Sequence, residues 1–335
     1  MARSVSADIN INGQNVSGYI TPFLESLTYT DVLEGEASTA EITLEDTNCL
    51  WRSQWFPARG DTMSITLIRR NWNEEGQVET LPLNAFEVDE IVCSAPPNRA
   101  KIKLNSIANN SQIRSVARSQ SWENTRLSRI AADVAGAAGM ALYYDAADDP
   151  LIERAEQDEE SGLKFLFKMS KDAGLLLKVE GEALIICDEE KYEARSAAVT
   201  LSYGDVAIKN FRATATINEI YSSAVVRYKH GRQGELIEGR YKAGGKSGGM
   251  TLRINQKVSS AGEAQRLARK KLREKNREEI KVELECIGNF VFVAGNVFEL
   301  KDFGAFDGNY LIERAVHQIG NGYSCRISAR RCLGY

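Results

Sequence analysis

Short runs in which apolar and polar residues alternate recur at both ends of this chain, and the middle breaks into a different period. Val5, Ala7, Ile9 and Ile11 fall on one face of the first run. Ala40, Ile42 and Leu44 alternate with Glu41, Thr43 and Glu45, and Met63, Ile65 and Leu67 alternate again. Ile102 and Leu104 sit between Lys101, Lys103 and Asn105. A period of two with one polar face means a strand packed on one side only. Residues 1–110 therefore read as an antiparallel β domain, a barrel or a sandwich.

The period changes after residue 110. Leu127, Ile130, Ala131 and Val134 have helical spacing, so 122–138 reads as a helix stopped by Gly139. Residues 141–144 read as a strand, and the acidic stretch 145–160, which contains Pro150, as a loop. A second helix is expected over 161–173, ending near Gly174, then a hairpin of 175–179 and 183–187 around Glu180 and Gly181. Together 111–195 form a small α/β insert. Strands return at 206–217, 220–229, 281–287, 296–301, 309–319 and 322–330, with one helix at 261–279 and a glycine-rich loop at 243–249. Residues 196–335 are thus a second β domain.

The two β domains carry a weak internal repeat. Leu27, Ala40, Ile42 and Leu44 fall on Phe211, Ala224, Val226 and Tyr228 at a constant offset of 184. Gly60-Asp61 matches Gly295-Asn296 at an offset of 235, and 85–91 matches 309–315 at 224. A last strand follows in both copies, KIKLNSI and SCRISAR. On this alignment the second copy carries an insertion at about 231–280. The fold class expected is mainly β with an α/β insert: two tube-like antiparallel β-barrel domains related by internal duplication, plus a small α+β domain.

At 335 residues, 43% hydrophobic and 26% charged, the chain is neither low-complexity nor wholly disordered. No stretch reaches the roughly 20 apolar residues of a membrane helix. MARSVSADININ has no apolar h-region, so no secretory signal is expected. A net charge of −4 argues against a dedicated nucleic-acid binder. The charge is uneven: −7 over 1–110, −6 over 111–195 and +9 over 196–335, of which 231–280 holds +7. Opposite signs on successive domains favour their alternation in an assembly.

A search for chemistry assigns no catalytic, cofactor-binding or metal residue. The loop Gly244-Gly245-Lys246-Ser247 lacks the earlier glycine of a phosphate loop; Arg240 stands there and Gly239 is one position off. His230 and His317 lie on strands, and no G-x-S-x-G occurs, so both read as structural. Asp145, Asp148, Asp149, Glu153, Glu156, Asp158, Glu159 and Glu160 lack calcium-loop spacing. Cys49, Cys93, Cys187, Cys286, Cys325 and Cys332 form no C-x-x-C pair and read as free thiols. Helix 261–279 has a narrow stripe of Ala264, Leu267, Ala268 and Leu272; its other faces are basic and carry no aromatic residue for base stacking.

Four segments resemble one family, the late control D proteins of contractile-tailed phages, and the N-terminal half of VgrG. They are LPLNAFEVDEIVCSAPPNRAKIKLNSI at 81–107, the W-x-N-T helix region at 122–140, the helix and hairpin at 161–187, and 263–319. The last, with EAQRLARKKLREKNREE and VAGNVFELKDFGAFDGNYLIERAVHQI, is the most specific. The glycine loop and its surrounding insertion depart from the family pattern.

The resemblance implies a structural baseplate hub of a contractile injection machine, a phage tail or a tailocin, and not an enzyme. It implies a homotrimer whose six barrels form a pseudo-sixfold ring between a hexameric tail tube or tube initiator and a trimeric spike. No glycine-rich β-helical spike follows the last family strand here, so the spike is expected to be a separate protein. Other baseplate proteins are further expected partners, with DNA or a tape-measure protein passing through the lumen unbound. No cofactor and no membrane partner are implied, and the expected location is the virion tail or tailocin baseplate, assembled in the host cytoplasm. The alternative is a hub-like protein with cell-wall hydrolase activity in 111–195.

Overall fold

The computed structural model describes residues 2–335 except 35–36, 59, 73, 84, 107–111, 217, 219, 230–234 and 245–248. The first stretch forms β1 (Ser4–Ile11), β2 (Gln14–Asn15), α1 (Ser17–Ile20), β3 (Leu24–Val32), β4 (Thr39–Glu45), β5 (Thr62–Arg70), β6 (Val78–Pro82), β7 (Phe86–Ser94) and β8 (Arg99–Asn105). The middle forms α2 (Gln112–Ser115), β9 (Ala117–Arg126), α3 (Leu127–Ala137), β10 (Ala141–Asp145), β11 (Leu151–Ser161), α4 (Gly162–Asp172), β12 (Leu176–Glu180), β13 (Ala183–Cys187) and α5 (Glu190–Glu193). The last stretch forms β14 (Thr200–Ser202), β15 (Ile208–Ala215), β16 (Tyr221–Lys229), β17 (Leu236–Lys242), β18 (Met250–Ile254), α6 (Ala261–Asn276), β19 (Ile280–Ile287), β20 (Val297–Lys301), β21 (Gly308–Gly320) and β22 (Gly322–Arg331).

The molecule is mainly β, with a small α/β unit between two β-rich halves. The halves are two stretches of one 14-stranded sheet. In the first, strands pair in the order β3-β4-β8-β7-β5; in the second, β15-β19-β22-β21-β20. The registers coincide as well. Leu27 faces Ile42, which faces Ile102, which faces Ile91. Phe211 faces Leu284, which faces Ile327, which faces Ala315. Both first ladders slip at the same place, between Leu24 and Ser26 and between Ile208 and Asn210. Both last ladders slip between Val88 and Glu90 and between Ile312 and Arg314. A bulge leaves one residue unpaired and bends its strand. Two bulges at the sequence offsets of 184 and 224 therefore fix the equivalence of the halves.

One piece of the sequence alignment is corrected. Ala224, Val226 and Tyr228 do not stand where Ala40, Ile42 and Leu44 stand. They lie on β16, which leaves the large sheet; β19 takes the place of β4. Any alternating run matches any other in period, so the pattern alone does not choose between β16 and β19. The described residues between β15 and β19 form a separate layer in which the sheet β17-β16-β18 is covered by α6. Ala264, Ala268 and Leu272 pack with Ala224 and Val226. The approach is close: a Cβ at Gly239 would lie 2.2 Å from the Gln265 nitrogen. Gly239 thus makes room for a helix.

The halves meet where β21 pairs antiparallel with β3, from Arg314 opposite Val32 to Ile319 opposite Leu27. One apolar core runs under both. Burying a single Leu, Ile or Phe stabilises by roughly 1.5–3 kcal/mol, so this shared core binds the halves firmly.

The middle unit differs from expectation at two places. The helix begins at Leu127, because 117–126 is a strand, and the acidic stretch becomes β11, paired with β9. Trp122 on β9 stacks on Phe165 of α4 at 5.3 Å, and its indole N–H donates to Asp133 at 3.2 Å. This packing holds a polar segment extended. Helix α4 starts as its sequence suggests, with Ser161 accepting from the Lys164 N–H.

Candidate functional site

Three layers meet around Glu193. Helix α5 ends the middle unit, α6 belongs to the second-half insertion, and β21 and β22 belong to the large sheet. Glu193 accepts from Arg273 of α6 at 2.9 Å, from Arg330 of β22, and from the Leu333 N–H at 2.9 Å. Arg330 also donates to Glu189 at 3.0 Å and lies 3.3 Å from Glu313 of β21. Arg273 reaches Glu190 at 3.3 Å and donates to the Tyr335 carbonyl. Arg273, Arg330 and Glu193 are all buried. Burial works against the Arg330 charge, but Glu189 and Glu193 raise its pKa above the ordinary guanidinium range. Burial pushes the Glu313 carboxyl up, with Arg330 opposing.

Several other cations in and just after α6 have partners as well. Arg266 and Lys270 flank Asp148 at 3.3 and 3.5 Å, Arg269 donates to Glu190 at 2.6 Å, and Arg277 reaches Glu34 at 3.4 Å. Asn276, fully buried, exchanges hydrogen bonds with the Tyr221 backbone at 3.0 and 2.7 Å. The basic helix therefore spends its charge on the acidic middle unit of its own chain. Sequence reading missed this joint. The only signal was the pair of opposite segment charges, −6 and +7, because the partners lie 79 and 80 residues apart.

Most acidic residues of 145–160 have individual partners. Asp149 caps α3 by accepting from the Ser128 N–H at 3.0 Å and hydroxyl at 2.7 Å. Glu153 pairs with Lys257, Glu156 with Arg154, and Asp145 with Lys191. Among the described residues, no three His, Cys, Asp or Glu side chains group as a metal site.

His317 is fully buried on β21. Its Nε2 lies 2.8 Å from the Phe292 carbonyl, which only accepts, so Nε2 carries the proton. Its Nδ1 then accepts from the Tyr323 hydroxyl at 2.7 Å. Cys325 lies 3.3 Å from Nδ1, a pairing of nucleophile and base that sequence spacing did not reveal. Burial lowers the His317 pKa and raises the Cys325 thiol to about 11. The pair is neutral and enclosed, with no thiolate at neutral pH. His230 and residues 245–248 of the glycine loop lie outside the described residues.

Two aromatic surfaces stand open. Tyr19, Trp51, Trp55, Phe56 and Val88 line a groove of about 630 Å³ in the first half. In the second half Phe211, Phe303 and Tyr203 cluster, with centroid separations of 4.6 and 5.5 Å, beside the 90% exposed Val206.

Comparison with known proteins follows the fold. A family model described as YQBQ-like matches residues 177–325. No curated protein matches the sequence. A tail protein from Neisseria meningitidis MC58 superposes with a TM-score of 0.69 at 11% identity, covering 98% of this chain and 97% of that one. The 43 kDa tail protein of prophage MuSo2 from Shewanella oneidensis gives 0.69 at 16%, covering 98% of each chain. An Escherichia coli type VI secretion component, described as similar to the T4 tail proteins gp27 and gp5, gives 0.59 at 12%, covering 96% of this chain and 76% of that one. The chain shares its fold with phage tail proteins and with VgrG-related proteins over nearly its whole length.

Proposed function

We propose that this chain is a structural hub in the tail or baseplate of a contractile injection machine. The observation that carries the reading is the duplicated ladder: one protomer presents the same sheet unit twice, at matched register and matched bulges. Three protomers then present six such units, the number needed to meet a hexameric tube, while keeping threefold symmetry toward a spike. The end-to-end fold likeness to phage tail proteins supports the same reading.

In this proposal 1–110 and 196–335 are the ring-forming domains, 111–195 sits outside the ring, and the spike is a separate trimeric protein. Helix α6, most of whose cations pair within the chain, serves as an internal brace and does not line the path of DNA or a tape-measure protein. The late control D family is the specific assignment, with a place in a virion tail or tailocin. Mass photometry of the purified protein, alone and with a trimeric spike protein from the same source, tests the proposal. A trimer that binds the spike trimer is expected. A protein that stays monomeric in both conditions, or that clears cell-wall material on a zymogram, overturns it.

A further inference from the structure

Among the described residues, two of the edges that the large sheet leaves open are that of β7 beyond Glu87 and that of β15. Strand β7 pairs with β8 from Glu87 to Ser94, but on its other side it pairs with β5 only at Phe86 and Glu87. Strand β15 pairs with β19 on one side and ends the sheet on the other. Val92 is 42% exposed and Cys93 is exposed. An open edge presents unpaired N–H and C=O groups and is a template for another strand.

The molecule contains a filled version of this vacancy. Strand β21, the counterpart of β7, pairs with β20 at Gly308–Leu311 and then with β3 beyond its bulge. Strand β3 is the counterpart of β15. The edge that β21 offers to β3 inside the chain is the edge that β7 leaves open, and the edge that β3 uses is the one that β15 leaves open.

We infer that β7 of one protomer pairs antiparallel with β15 of a second copy, in the register Ile91↔Ala215, Val92↔Thr214, Cys93↔Ala213 and Ser94↔Arg212. Each pair is the image of one at the internal junction: Ala315↔Asp31, Val316↔Thr30, His317↔Tyr29 and Gln318↔Thr28. The inference rests on the proposed hub and names the surface by which its ring closes.

A loop contact supports the same docking. In the second half the β19–β20 loop sits on the first half: Arg69 donates to Asn289 at 3.2 Å and lies 4.9 Å from the Phe290 ring, and Trp72 packs on Tyr323 at 5.7 Å. The first half carries an open aromatic loop of its own, with Trp55 and the 60% exposed Phe56 lining the groove. The second half carries the open cluster of Phe211, Phe303 and Phe306 beside β15. In the proposed pairing the first of these surfaces docks on the second. Such a contact joins different surfaces, so it closes a ring or runs on as a filament.

Cys93 makes the register testable with one substitution. Ala213→Cys places a thiol opposite Cys93 of the neighbouring copy, within the reach of a disulfide. Thr214→Cys places it on the opposite face of the sheet, because side chains alternate. The full-length variants are oxidised and run on non-reducing gels, with mass photometry in parallel. Ala213→Cys is expected to give covalent dimer and trimer, all of it lost when Cys93→Ala is added, and Thr214→Cys to give none. A trimer without the Ala213→Cys cross-link, or with an equal one from Thr214→Cys, overturns the register and leaves the hub standing. Cross-linked ladders beyond trimer support the pairing and overturn closure at three. Monomer throughout overturns both.

Discussion

The two halves carry the same ladder but put different residues at the same places. His317 in the second half stands where Cys93 stands in the first; one is fully buried and the other exposed. Arg330 stands where Asn105 stands; both are buried, but only Arg330 belongs to the charged joint. Gly288 stands where Asp46 stands, each donating its backbone N–H across the ladder, to the Tyr323 and Asn98 carbonyls; a Cβ at Gly288 would lie 2.1 Å from the Tyr323 ring. A ladder fixes which residues face one another. What covers the ladder decides which residue types those places tolerate. The second half is covered by β3, α5 and α6; among the described residues, the matching edge of the first half, β7 beyond Glu87, pairs with no strand.

The strongest test of that difference is Glu193→Ala. Removing the carboxylate leaves Arg273 and Arg330 buried with fewer partners, a change that costs about 3–5 kcal/mol. Asn105→Ala, at the ladder place matching Arg330, is expected to cost about 1 kcal/mol, the net worth of an ordinary hydrogen bond. Urea unfolding of both variants measures the gap; equal losses would mean that the joint is not what distinguishes the halves.

A smaller effect is expected at the His317 place. His317→Ala takes the ring from the Phe292 carbonyl, leaves the Tyr323 hydroxyl only the Cys325 thiol at 3.7 Å, and opens a cavity, for about 3 kcal/mol. Cys93→Ala in the isolated protomer is expected to change stability by less than about 0.5 kcal/mol. The histidine also sets a pH dependence. Burial holds its pKa below the ordinary value of about 6.5, with the hydrogen bond to the Phe292 carbonyl and the Asp31 charge opposing. As pH falls, the unfolded chain therefore takes up the proton first. The stability from the buried neutral ring is complete above about pH 6.5 and is lost below it. Denaturation midpoints between pH 7.5 and 5 should show this slope, flattened in His317→Gln; an unchanged slope would assign it to other groups.

The smallest effect marks where the halves do not differ. Lys101 and Glu41 form an exposed pair at 2.8 Å in the first half, and Arg326 and Glu285 one at 3.7 Å in the second. Lys101→Ala and Arg326→Ala should each cost no more than about 0.5 kcal/mol, because water screens such pairs. A thermal shift well beyond that in either half would show a role in assembly.

Much of this fold was legible in the chain itself. Alternation located most of the longer strands of the large sheet but not β2, β6 or β14, and three of the offsets read from sequence, at Leu27, at Gly60 and over 85–91, are those of the observed ladders. Those segments keep short fixed turns, so spacing carries over from chain to space. The helix stripe of Ala264, Ala268 and Leu272 was equally plain, because a helical period is local. Other features depended on contacts made far along the chain. Strand β16 and strand β19 have the same period, and only the apolar face of α6 decides which leaves the sheet. Strands β9 and β11 are polar along most of their length, and only the packing of Trp122 on Phe165 and of β9 on β11 keeps them extended. The acidic and basic segments looked like surfaces for a partner, and the tertiary fold turned them on each other. The sequence by itself determined the local periods and the repeated order of strands, since those depend on neighbours a few residues apart. The tertiary structure alone decided which strand fills each place and which charges meet, since burial and pairing are set by residues that folding brings together.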